Sequence, residues 1–215
     1  MNLPSVSIVD IGIGNLFSIS SILTSLDVDY NFIEEPTQLG SSDCLILPGV
    51  GAFSHAMAEL HKRDFVAAIH DYAKDPSKKI LGICLGFQLL GTSSSEITHT
   101  DGLGLIPASV TRLLEEPNIT VPHIGFNSVA SSQDQVNSFL PHKDSCELDY
   151  YFVHSYCFSA DQVVRLPDDA VYGLTSHGSN TFISAYQANN IFGTQFHPEK
   201  SQSNGLALFK NFLDL

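Results

Sequence analysis

The first part of the chain repeats one unit: a short apolar run, a glycine-containing turn, then apolar residues at helical spacing. Val6-Ser7-Ile8-Val9 leads through Asp10-Ile11-Gly12-Ile13-Gly14-Asn15 into a helical pattern over 16–26. Asn31-Phe32-Ile33 is a second candidate strand. Asp43-Cys44-Leu45-Ile46-Leu47 is a third, ended by Pro48-Gly49-Val50-Gly51 before a helix predicted over about 54–72. Lys79-Ile80-Leu81-Gly82-Ile83 is a fourth, followed at once by a helical stretch over 85–90. Near-continuous apolar runs suit strands buried on both faces, and strands that alternate with helices pair in parallel.

After about residue 100 the texture changes. Ser109-Val110-Thr111-Arg112-Leu113, Tyr150-Tyr151-Phe152-Val153, Thr181-Phe182-Ile183-Ser184-Ala185-Tyr186 and Ile191-Phe192-Gly193-Thr194-Gln195-Phe196 are strand-like with few helices between them. A closing helix is predicted over 204–213, and neither an internal repeat nor a low-complexity linker interrupts the chain. The expected fold class is α/β: a largely parallel sheet, helices on both faces, and a mixed or antiparallel continuation. A length of 215 residues fits one domain spanning 1–215.

Charge restricts the partners. The net charge is −13 with 10 Lys+Arg, and no basic cluster exceeds two residues, so a polyanion would be repelled and nucleic acid is excluded. Charged residues make up 15% of the chain, against roughly 25% in an average domain, which leaves neutral surface suited to an interface. The start lacks a basic leader, and no apolar run approaches the roughly 18 residues of a membrane span, so no membrane is expected and the cytoplasm is the default. Cys44, Cys84, Cys146 and Cys157 form no Cys-x-x-Cys pair, and reduced thiols are expected.

Gly82-Ile83-Cys84-Leu85-Gly86 has the spacing of a nucleophile elbow, a tight strand-to-helix turn that exposes a reactive side chain. Glycines two places to either side remove Cβ atoms that would collide at such a turn. The thiol then sits at a helix start, where unpaired N–H groups favour a thiolate and can hold an oxyanion, Leu85 N–H first among them. The competing reading is a small buried filler, the usual fate of a free cysteine. A thiolate also needs a base, and His197 has the most informative surroundings. Pro198 disfavours helix at His197, so the segment is read as extended, with His197 and Glu199 on one side and Glu199 holding the imidazole tautomer. The remaining histidines, His55, His61, His70, His99, His123, His142, His154 and His177, show no zinc spacing, so no metal is expected. Gly12-Ile13-Gly14 lacks the third glycine of a dinucleotide loop, with Phe17 in its place, and no cofactor is expected.

Gly82-Ile83-Cys84-Leu85-Gly86-Phe87-Gln88 and His197-Pro198-Glu199 resemble the two signatures of the class I (triad) glutamine amidotransferases. Within that family the chain is most similar to the glutaminase subunits of imidazole glycerol phosphate synthase. That similarity covers nearly the whole chain, including Pro48-Gly49-Val50-Gly51-Ala52-Phe53, Pro122-His123-Ile124-Gly125-Phe126-Asn127 and Tyr151-Phe152-Val153-His154-Ser155-Tyr156. The resemblance implies L-glutamine as substrate and Cys84, His197 and Glu199 as catalytic residues. Val50, Gly51 and Leu85 would form the oxyanion hole. Gly49, Gln88, Glu96 and the backbone of Ser155 and Tyr156 would bind substrate. Gln88, one helical turn after Cys84, faces the same way, with a plain surface residue as its alternative.

The resemblance further implies a partner, a (β/α)8-barrel cyclase subunit that uses the ammonia to make imidazole glycerol phosphate. Asn15, His123, Asn127 and Lys200 match positions near that interface. Phe126, Ile11 and Phe17 depart from the family's usual tryptophan, aromatic and basic residues, all at or near the partner face. A related glutaminase subunit that feeds a surface-sugar amidotransferase shares these motifs and is the second reading. A free-standing γ-glutamyl hydrolase and a non-catalytic redox or chaperone protein with an elbow cysteine are further alternatives.

Overall fold

A computed structural model describes residues 4–132, 138–141 and 148–215. Strands β1 (Val6–Val9), β2 (Tyr30–Ile33), β3 (Cys44–Leu47) and β4 (Lys79–Ile83) pair in parallel in the order β2-β1-β3-β4. Strand Ile191–Thr194 extends this block by pairing in parallel with β4. The next neighbour, Asn180–Ala188, runs antiparallel to it, and Val171–His177 and Tyr156–Ser159 pair antiparallel with Asn180–Ala188 in turn. Ser109–Arg112 continues the antiparallel part. A separate antiparallel ribbon joins His123–Ser128 to Asp149–His154.

Side chains of the parallel strands alternate between two apolar cores. Val6, Ile8, Cys44, Ile46, Leu81 and Ile83 meet Ile19 and Leu23 of α1 (Leu16–Ser25) and Leu208, Phe209 and Phe212 of the last helix, Gln202–Asp214. On the other face, Val9, Leu45, Leu47 and Ile80 meet α2 (Phe53–Lys62) and α3 (Phe65–Ala73) through Phe53, Met57, Leu60, Phe65 and Ile69. Both faces are therefore covered, which explains why these strands carry apolar residues without alternation. Among the described residues no helix is long and apolar enough to cross a membrane.

Two expectations need correction. The helix predicted over 54–72 is two helices, because Asp64 takes a left-handed conformation at φ 60°. Arg63 before the break pairs with Glu59 at 3.4 Å and donates to the Asp10 carbonyl at 3.3 Å, tying the break to the β1–α1 loop. The strand predicted over 191–196 stops at Thr194: Gln195 N–H still bonds Ser184, but His197 N–H crosses to the Tyr151 carbonyl at 2.8 Å. That crossing carries His197 from the sheet onto the ribbon. Ribbon strand His123–Ser128 and strand Val171–His177 were not anticipated as strands. Of the cysteines, Cys44, Cys84 and Cys157 are free and buried; Cys146 and His142 lie outside the described residues.

Candidate active site

The site is built at the carboxyl ends of β3, β4 and Ile191–Thr194, where the loops of an open α/β sheet converge. Cys84 follows β4 directly and begins the short helix α4 (Leu85–Leu89). Its φ of 54° and ψ of −108° place it in a region that L-residues rarely occupy, the strained corner of an elbow. Its N–H donates to the Thr194 carbonyl at 2.7 Å, anchoring the corner to the adjacent strand. A Cβ on Gly86 would stand 1.7 Å from the Leu47 carbonyl oxygen, and one on Gly82 2.7 Å from Gly86 oxygen, so only glycine fits either side. With five residues, α4 carries a weak macrodipole; the local donor is Leu85 N–H, which as the first helical residue has no intrahelical acceptor.

His197 lies beside this corner, 2% exposed. Its backbone is extended, as expected, but the segment after it is not: Pro198–Lys200 is a single 3-10 turn, closed by Lys200 N–H on the His197 carbonyl at 3.0 Å. Proline suits the first position of such a turn because it has no N–H to leave unpaired. The turn swings Glu199 back so that its Oε1 stands 2.6 Å from His197 Nδ1. A carboxylate accepts, so Nδ1 carries the proton and Nε2 is the basic nitrogen; Nε2 is buried and unpaired. Burial alone would lower the imidazole pKa, but the Cys84 sulfur facing the ring and the Glu199 carboxylate bonded to it outweigh that and raise the pKa to about 10.

Cys84 and His197 open onto one cleft of about 330 Å³. Val50, Gly51, Leu85, Gln88, Glu96, Ser155 and Tyr156 line it too. Gly49 sits behind, where a Cβ would come within 2.9 Å of Leu85 Cβ, so the Pro48-Gly49-Val50-Gly51 turn packs on the start of α4.

The profile of the family described as "Glutamine amidotransferase class-I" matches residues 7–215. The chain belongs to the class I glutamine amidotransferases. It is 40% identical over 210 residues to the imidazole glycerol phosphate synthase subunit HisH of Moorella thermoacetica, covering 98% of this chain and 94% of that one. It is 38% identical over 211 residues to the imidazole glycerol phosphate synthase hisHF of Schizosaccharomyces pombe, and there spans only 38% of the relative's length. A solved glutamine amidotransferase, 16% identical, superposes with a TM-score of 0.72 over 97% of each chain and supports the fold.

In this amidotransferase several residues have duties that sequence alone did not reveal. Gln88 is buried, not a surface residue: its Nε2 donates to the Tyr156 carbonyl at 2.7 Å and to Gln195 Oε1 at 3.0 Å. Both N–H groups are thereby used, leaving Oε1 as the atom of this amide for a ligand. Glu96 Oε2 accepts from Phe53 N–H at 2.7 Å, so it caps the start of α2 while lining the cleft. The Tyr156 carbonyl also accepts from His154 Nδ1 at 3.0 Å, and Leu113 N–H holds the Ser155 carbonyl at 2.9 Å. His154 and Gln195 were missed as site residues, although His154 lies in a stretch that carries the family resemblance and Gln195 two residues before the second signature.

The expected interface residues divide. Asn15 precedes α1 and donates to Ser18 Oγ at 2.7 Å; exposed Lys200 lies over the Tyr151 ring at 5.6 Å. Asn127 is half-buried, its amide donating to the Ser176 carbonyl at 2.9 Å. His123 is not on the surface: it is 3% exposed, stacked on His177 and Phe152. The two-residue period of its strand turns Ile124 and Phe126 outward and His123 in. Ile11, expected near the partner face, is also buried.

Proposed function

We propose that the chain is the glutaminase subunit of an imidazole glycerol phosphate synthase, splitting L-glutamine into L-glutamate and ammonia for histidine biosynthesis. The observation that carries the reading is the elbow Cys84 sharing a cleft with the His197–Glu199 pair. In this mechanism His197 Nε2 takes the thiol proton, and the sulfur attacks the side-chain amide carbon of glutamine. The tetrahedral oxyanion accepts from Leu85 N–H and from the Val50–Gly51 turn. His197 returns the proton to the departing nitrogen, ammonia leaves, and a γ-glutamyl thioester remains. Water, giving its proton to His197, attacks the thioester and frees glutamate. The raised imidazole pKa favours transfer of the thiol proton to the ring, setting an imidazolium beside the thiolate before glutamine is attacked. Gln88 Oε1 and Glu96 offer acceptors for the substrate ammonium, and the backbone at Ser155 and Tyr156 holds its carboxylate.

Ammonia released into water is protonated and lost, so it is passed under cover to the (β/α)8-barrel cyclase subunit. Exposed Phe17, Ile124 and Phe126, with Lys200 over Tyr151, offer apolar surface for such docking. A single domain over 1–215, working in the cytoplasm with no cofactor, completes the reading. It is tested by measuring glutamine hydrolysis with and without a barrel cyclase subunit and its nucleotide ligand. Strong stimulation by that partner is expected. Full activity of the isolated chain would instead identify a free-standing hydrolase.

A further inference from the structure

Behind the cleft lies a hydrogen-bond chain with one member, Gln195, that has no part in the glutaminase mechanism. Gln195 is fully buried, and its side-chain amide sits between Gln88 and the nucleophile. Gln195 Oε1 accepts from Gln88 Nε2 at 3.0 Å, and Gln195 Nε2 donates to Cys84 Sγ at 3.7 Å. The Tyr156 carbonyl decides the polarity of the chain. A carbonyl oxygen only accepts, so the Gln88 atom 2.7 Å from it is the amide nitrogen. That nitrogen needs an acceptor on Gln195, which leaves the Gln195 nitrogen turned to the sulfur. The reverse order would oppose two carbonyl oxygens at Tyr156 and present a third to the thiolate.

The anchor is itself fixed. His154 Nδ1 also donates to the Tyr156 carbonyl, so the proton sits on Nδ1 and Nε2 accepts from His123 Nδ1 at 3.2 Å. The Val153 carbonyl, 4.0 Å from the sulfur, can only accept, and so favours the neutral thiol. Gln195 opposes it with a donor in a buried setting, where an N–H acts more strongly on charge than it does in water.

We propose that Gln195 is a positioning residue for the nucleophile: held by Gln88, its N–H favours the thiolate of Cys84 and keeps the sulfur aimed into the cleft. The inference rests on the glutaminase reading. The thiol proton still goes to His197. The same donor meets the sulfur again when the thioester breaks and the thiolate departs, so it assists both halves of the reaction.

The test is alkylation of the full-length chain by iodoacetamide across pH, with the modified residue mapped by mass spectrometry. Gln195→Met keeps a similar volume and removes the donor. Its Cys84 alkylation at pH 7 is expected to fall about five- to tenfold, with the profile displaced to higher pH. Gln88→Met, which frees the Gln195 amide, is expected to displace the profile less and in the same direction. A mere packing role would lower thermal stability and leave the profile where it was, which overturns the inference. Should Gln195→Met not fold, the wild-type side-chain amide decides by NMR: the Gln195 resonance follows the alkylation profile and loses that dependence in Cys84→Ser. A resonance indifferent to Cys84 also overturns the inference. Where Cys84 is not the residue modified in the wild type, the glutaminase reading fails as well.

Discussion

Cys44 opens β3 and Cys84 follows the neighbouring parallel strand β4, and their surroundings differ. Cys44 stands within β3 with its side chain in the core, and burial pushes its thiol up to about 11. Cys84 stands one residue beyond β4, in a strained corner with a cleft in front and a histidine beside it. The histidines repeat the contrast. Burial drives His154 down to about 3 and His123 to about 4, whereas His197, also buried, is raised because a carboxylate and a thiol face it. What separates these residues is their position relative to the strand end and their immediate partners, not residue type or depth.

Replacing the thiol breaks the contrast most directly. Cys84→Ser is expected to lower glutamine turnover by roughly ten-thousandfold while sparing ammonia-dependent synthesis by the partner; steady-state assays with each nitrogen source read both. Gly86→Ala attacks the corner itself. Its Cβ would meet the Leu47 carbonyl oxygen at 1.7 Å, and a loss of about 3 kcal/mol or more is expected by urea denaturation.

Glu199→Gln keeps the shape of the pair and removes one of the charges that raise His197. Turnover is expected to fall about a hundredfold, with the pH profile displaced, in a chain that still folds. Alkylation near pH 8 should modify Cys84 and leave Cys44 and Cys157 untouched, because burial raises those thiols to about 11 and about 12. Equal labelling of Cys44 would erase the distinction between a core-facing strand residue and the corner after a strand's carboxyl end.

The smallest effect concerns the depressed histidines. His123 and His154 stay neutral when folded, while an unfolded histidine takes a proton below about pH 6.5. The unfolded state then binds more protons, so the stability they allow is complete above pH 6.5 and declines as pH falls through 4 toward 3. Denaturation midpoints measured from pH 7 to pH 4, and their flattening in His154→Phe, check the sign.

Much of the site was legible because its signals are local. A cysteine flanked by glycines at a strand end announces a corner, and a histidine before proline with glutamate two residues on announces a paired base. Glu96 was harder to read, since its capping of α2 links residues 43 apart in the chain. The burial of His123 was hard to read for a related reason. Only pairing of its strand with Asp149–His154 decides which face of the ribbon is covered.

By itself the sequence determined the parallel block, the glycine-flanked corner and which groups are candidates for the chemistry, since each depends on neighbours within a few positions. Tertiary structure decided how they meet. The left-handed Asp64 splits the long helix, the crossing after Gln195 carries His197 onto the ribbon, and the turn that begins at Pro198 brings Glu199 back to the imidazole. These are long-range packing choices, in which buried polar groups must find partners from distant segments, and no local pattern encodes which partner is found.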